Sequence, residues 1–280
     1  MIRGPAVAGQ FYPARAARLK ADVTDLLDRS QPPREALAVV VPHAGYVYSG
    51  PVAGAVYGRV SIPETVALLG PNHTGRGVPV SVWPGGAWRT PLGDVEVDEA
   101  FVAALLERFP PAAGDESAHM LEHSLEVQLP FLQVLRPEVR IAPIILSVDS
   151  LTTILRLGEA LAEVVAAHPC AVLLVASTDM THFQPQEVAE RYDRLALDRV
   201  LALDPEGLWQ VVLENDISMC GYMPTTAVLA CARARGAASA ELVRYETSGD
   251  RTGDRGNVVG YAGVIVGARS AGTAAGPRGS

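Results

Sequence analysis

The sequence predicts an α/β fold, a layered αβα sandwich around a central, mainly parallel or mixed sheet. Three observations predict it. The apolar runs at 38–41, 65–69 and 171–176 show no polar alternation, as expected of strands buried on both faces. Segments with helical apolar spacing separate these runs. Each run gives way to Pro, Gly, Ser or Thr and then, within a few residues, to a histidine: His43, His73 or His182. In open α/β sheets the carboxyl ends of the strands are where ligands bind.

Along the chain, Gly4 to Pro13 reads as an extended or turn segment. A helix follows from about Arg15 to Leu27, with Leu19, Val23, Leu26 and Leu27 on one face. Gln31-Pro32-Pro33 is a loop before the first strand, which starts at Leu37 and stops at Pro42, where the ladder donor is lost. Pro51 suits the first turn of a helix that reaches about Tyr57. Thr65–Leu69 is the second strand, and Val78 to Asp94 is a β-excursion with turns. A helix over Glu99–Phe109 ends at Pro110-Pro111. Glu122 to Leu135 reads as helical, bent at Pro130. Arg140–Leu146 is a strand, Leu151–Ala167 a helix, and a further strand starts at Cys170 or Ala171. Helices are expected at Gln186–Leu203, Pro205–Glu214 and about Thr225–Arg235, then strands at Glu241–Glu246 and Val258–Val266. No interdomain linker interrupts residues 1–268, which read as one domain, and the Gly, Ala, Ser and Pro content of 269–280 suggests a disordered tail.

Composition narrows the function. A formal net charge of -8 over 280 residues disfavours a nucleic-acid footprint. No apolar run approaches the ~20 residues of a membrane span, and the first twelve residues do not resemble a signal peptide. Three cysteines without a close pair argue against a disulfide framework and for a reducing, cytoplasmic setting. There is no P-loop, no dinucleotide fingerprint and no nucleophile elbow.

The chemistry-bearing candidates sit mainly at strand ends. His43 and His73 each follow a buried strand within small or turn-forming residues, so two imidazoles can point into one cleft; the alternative is that each only caps a turn. Cys220 stands just before a helix, where a thiol pKa can fall, and is a metal ligand, a reactive thiol or an inert buried cysteine. Cys170 and Cys231 read as inert and buried. Asp179 and His182 share one loop and form either an acid/base pair or a turn opening the next helix. His119 and His123 stand at i and i+4; His123 is expected in the cleft, with His119 and His168 at the surface. Glu122 or Glu126 can hold a ligand imidazole from behind.

Several ordered motifs now carry a resemblance. They are Ala6-Val7-Ala8-Gly9-Gln10-Phe11-Tyr12-Pro13, Pro42-His43-Ala44-Gly45-Tyr46, Gly70-Pro71-Asn72-His73, Glu122-His123-Ser124-Leu125-Glu126, Asp179-Met180-Thr181-His182-Phe183 and Val259-Gly260-Tyr261-Ala262. Together they resemble the Memo-like family, whose bacterial and archaeal members are called AmmeMemoRadiSam system protein B. The likeness extends over about residues 2 to 268. It implies the fold of class III extradiol dioxygenase catalytic subunits, with a non-haem iron type of site at the strand ends. By motif it implies His43, His73 and Cys220 as metal ligands, with Asp179, His182 and His123 as catalytic cleft residues. Iron(II) is the metal expected first, with copper or zinc as alternatives. The ring-cleaving relatives resemble a facial triad of two His and one carboxylate, so a thiolate in third place turns the expectation from ring cleavage to redox chemistry on a small substrate. The resemblance also allows an adaptor that binds phosphorylated peptides, with Arg76 available to an anion. The family name implies a functional association with radical SAM and Amme-type proteins.

Overall fold

The computed structural model describes residues 1–268, so the tail expected at 269–280 lies outside the described residues. The first part of the chain forms β1 (Ile2–Arg3), α1 (Ala16–Leu26), β2 (Ala38–Val41), α2 (Tyr46–Tyr57), β3 (Thr65–Pro71), β4 (Val80–Val82), β5 (Ala87–Thr90), β6 (Gly93–Glu96), α3 (Glu99–Arg108) and β7 (Ala113–Gly114). A 3-10 turn at Glu126–Gln128 leads into α4 (Leu129–Leu135), β8 (Arg140–Leu146), α5 (Leu151–Ala167), β9 (Val172–Ser177) and β10 (His182–Gln184). The remainder is α6 (Gln186–Leu201), α7 (Pro205–Glu214), α8 (Tyr222–Ala234), β11 (Ala237–Thr247), α9 (Gly249–Thr252) and β12 (Val258–Ala268).

Among the described residues nine strands make the main sheet, and its centre is the parallel set β2-β9-β3-β8. Every residue of β2, β3 and β9 is buried, which is why these runs carry no polar alternation. Antiparallel β12 and β4 flank this centre on its two sides. α8 lies across β2, β3, β8 and β9, with α5 and α7 packed on it; α2 lies on β2, β11 and β12, with α1 and α4 against it. The result is the expected mixed sheet between helical layers. β1, β5 and β6 form a separate three-stranded sheet, so the β-excursion exists and recruits the first strand of the chain.

Helix α2 starts at Tyr46, so Pro51 stands inside it rather than in its first turn. The carbonyl that loses its partner belongs to Val47, which is exposed and can be hydrated. The helix expected from Glu122 is shorter. Residues 122–125 are loop, and regular helix begins only at Leu129 with Pro130 in its first turn, where a missing N–H costs nothing. The strand expected at Glu241–Glu246 extends over Ala237–Thr247, because β12 supplies a ladder along its whole length.

Candidate metal centre

The parallel centre sends the ends of β2, β9 and β3 to one edge. His43 follows β2, Asp179 follows β9, and His73 follows β3. A loop at 122–125 closes over this edge. Its approach needs Gly70, where a Cβ would come within 2.6 Å of Ser124 Oγ and 2.7 Å of Leu125 Cδ2. Gly221 does the same for the start of α8: a Cβ there would stand 2.4 Å from Thr178 Cβ. That contact brings Cys220 down onto the end of β9.

His43, His73 and His123 offer ligand nitrogens that all lie within 4.8 Å of one another. The rings of His73 and His123 are stacked, with centroids 4.8 Å apart, and His43 meets both edge-on at 5.2 and 5.5 Å. Cys220 is outside this mutual set, yet its Sγ lies 3.3 Å from His43 Nε2. The structure thus brings His43, His73, His123 and Cys220 to one place, with His123 joining the imidazoles more closely than the sulfur does.

Glu122 organises two of the rings. It is fully buried, its Oε2 accepts the His73 N–H at 2.6 Å, and its Oε1 accepts from His73 Nδ1 at 2.9 Å and from the N–H groups of His123 and Ser124. His123 Nδ1 is 3.5 Å from the same Oε1. Burial pushes the carboxyl up, but the His73 hydrogen bond and charge and the backbone donors outweigh it and hold it at about 2. Burial lowers His73 too; the bond to Glu122 and its charge reverse that and raise it. His43 is held well below its ordinary value by burial and then by the neighbouring imidazoles, and burial lowers His123. Glu126, the other carboxylate considered, holds no ring. It accepts from Arg3, from the N–H groups of Ala6 and Val7, and from the Tyr12 hydroxyl, and so ties down the amino-terminal segment.

Asp179 does not orient His182. Its Oδ1 accepts the His43 backbone N–H at 2.7 Å, while His182 Nδ1 bonds Ser218 O at 2.8 Å. Burial raises Asp179 to about 6. The helix-start argument for a low thiol pKa at Cys220 is reversed, since burial and the Asp179 charge push it up.

Three further expectations are corrected. His119 is fully buried between Trp83 and Trp88, with both ring nitrogens unpaired, and sits on neither a helix nor the surface. His168 keeps only 8% of its side chain exposed, with Nε2 3.2 Å from Asp98 Oδ2. Cys170 is exposed, because β9 begins two residues later at Val172. Cys231 is buried within α8, as expected, and burial pushes its thiol up to about 12. Sequence reasoning missed Ser177, whose Oγ lies 3.0 Å from His43 Nδ1, and Gln128, which reaches His43 only through Ser177 and the Pro42 carbonyl. Their signal was only a polar pair beside apolar runs.

The chain is similar to known proteins over nearly its whole length. The family model described as Memo-like protein matches residues 3–265. A MEMO1 family protein of Methanopyrus kandleri is 43% identical over 279 residues, covering 95% of this chain and 99% of that protein. One from Aquifex aeolicus is 43% identical over 267 residues, covering 94% and 98%. The crystal structure of an uncharacterized protein from Escherichia coli K12 has a TM-score of 0.57 at 14% identity, covering 82% of this chain and 99% of its own, a likeness of fold. With the family model spanning nearly the whole chain and relatives above 40% identity, this protein belongs to the Memo-like family.

Proposed function

We propose that the protein binds one redox-active metal ion, iron(II) first and copper second, and works on a small substrate as an oxidoreductase. The observation that carries this reading is the trio of imidazoles with nitrogens within 4.8 Å, backed by the Cys220 sulfur beside His43. The donor set fits such a metal: nitrogen with one soft sulfur suits iron, copper or zinc better than a hard cation. His43 and His73 engage Ser177 and Glu122 through Nδ1, so Nε2 of each remains to coordinate. His123 and Cys220 are the candidates for the third donor. A bound ion would supply electron transfer and polarise a small substrate. His182, oriented through Nδ1 by Ser218, keeps Nε2 free to move a proton. Cysteine usage, with all three thiols free, supports a reducing compartment. No helix among the described residues is long and apolar enough to cross a membrane.

The test is anaerobic titration of metal-free protein with iron(II), followed by calorimetry and metal analysis. Close to one ion per chain is expected, with binding lost in His43→Ala/His73→Ala. Equal affinity in that double variant would reject the metal centre, and absence of any binding would favour a peptide-binding adaptor instead. Comparing His123→Gln with Cys220→Ser then identifies the third donor.

A further inference from the structure

We infer that Ser177 and Gln128 are positioning residues that lock His43 in the tautomer with its proton on Nδ1. The Nε2 lone pair is then presented on the side of Cys220. The consequence for metal affinity rests on the proposed function; the tautomer itself does not.

The assignment follows from counting protons. Ser124 O and Pro42 O are carbonyl oxygens and can only accept. Ser177 Oγ lies 2.6 Å from Ser124 O, so the single hydroxyl proton must go there. Gln128 Nε2 lies 2.9 Å from Pro42 O and 2.9 Å from Ser177 Oγ, and its Oε1 takes the Tyr57 hydroxyl at 3.1 Å. Turning the amide over would set its oxygen against the Pro42 carbonyl. Gln128 therefore donates to Ser177, which has one lone pair left. That lone pair faces His43 Nδ1 at 3.0 Å. Only an N–H at Nδ1 completes the contact. A proton on Nε2 instead would press two lone pairs together in a site where His43, Ser177, Gln128, Ser124 and Tyr57 are all buried from water. On the far side of the ring Nε2 lies 3.3 Å from Cys220 Sγ, whose one proton can go to Nε2 or to Asp179 O at 3.6 Å, so this contact is compatible with the tautomer and the Ser177 side decides it.

Neutral imidazole binds a metal through its unprotonated nitrogen, and the partner of the other nitrogen decides which one that is. Glu122 does this for His73 with a charged carboxylate; at His43 a neutral serine does it, held in its accepting role by Ser124 and Gln128.

The experiment is two-bond proton–nitrogen correlation NMR on metal-free protein labelled with 15N-histidine, with His43 assigned by its loss in His43→Gln. We expect a pyrrole-type Nδ1 and a pyridine-type Nε2. Ser177→Ala is expected to abolish that signature and weaken iron(II) binding about 10- to 100-fold, with Ser177→Thr retaining both. A wild-type His43 protonated on Nε2 overturns the inference, and that spectrum decides even if Ser177→Ala does not fold. A Ser177→Ala protein that keeps the Nδ1 proton and binds iron(II) as tightly as the parent also overturns it. Should the wild type show the Nδ1 tautomer yet bind no metal, the tautomer assignment stands and the metal centre falls.

Discussion

His73 and His123 stack at 14° over a single carboxylate oxygen, Oε1 of Glu122, which lies 2.9 Å from one Nδ1 and 3.5 Å from the other. One buried anion thus serves two rings and the backbone that carries them. Glu122→Gln removes the charge and turns an amide group toward donors. We expect metal affinity to fall 10- to 100-fold, and the metal-free fold to lose roughly 1–3 kcal/mol for the orphaned donors. Calorimetric titration beside urea melts separates the two effects; unchanged affinity would mean that Glu122 serves only the loop.

The amino-terminal segment is coupled to the same loop. Arg3 is fully buried, donates to the carbonyls of His119 and Glu122, and pairs with Glu126 at 2.8 Å. Breaking such a pair from one side leaves a buried charge alone. Arg3→Met is expected to cost about 3–5 kcal/mol in urea unfolding, and adding Glu126→Gln should recover part of it. Additive losses in the double variant would contradict a mutual dependence.

Buried His119 gives a pH dependence of definite sign. Burial and then Arg3 hold its pKa down at about 3, against 6.5 for an ordinary histidine. The unfolded chain therefore binds the extra proton first, and stability falls as pH drops from about 6.5 towards 3. His119→Phe keeps an aromatic ring between the two tryptophans without the titration. Relative to this variant, the wild type should lose on the order of a few kcal/mol between pH 7 and pH 4. Parallel stability–pH curves for the two proteins would show that His119 does not titrate this way.

Gly221 sets the seat of Cys220. A methyl group there meets Thr178 Cβ at 2.4 Å and Ser177 O at 2.5 Å, and a backbone oxygen cannot yield as a side chain can. Gly221→Ala should destabilise by about 1–3 kcal/mol. It should also move the thiol, seen as a changed rate of Cys220 modification by a small alkylating reagent, read by mass spectrometry at that peptide. An unchanged rate would separate the thiol from this contact.

Much of the sheet was readable because its central strands are buried on both faces and so uniformly apolar. His43 and His73 were readable for the same reason, since each interrupts such a run at its carboxyl end. The order β2-β9-β3 was not, because β9 comes about a hundred residues after β3 and no local signal says that it inserts between the two earlier strands. The loop at 122–125 mimicked a helix, since its apolar spacing continues smoothly into α4. His119 looked like a surface residue because the tryptophans that enclose it lie more than thirty positions earlier. Asp179 and His182 are close in sequence, yet the carboxylate turns to the His43 backbone, a long-range bond with no local signal.

The placing of β9 between the two histidine-bearing strands has a geometric result. Neighbouring strands stand about 4.8 Å apart, so the two roots are separated by roughly 10 Å. Both side chains must lean inward across the middle strand to meet. Its last residue, Ser177, meets the nearer of them at His43 Nδ1, so the span the two rings must bridge is set by sheet architecture rather than by loops.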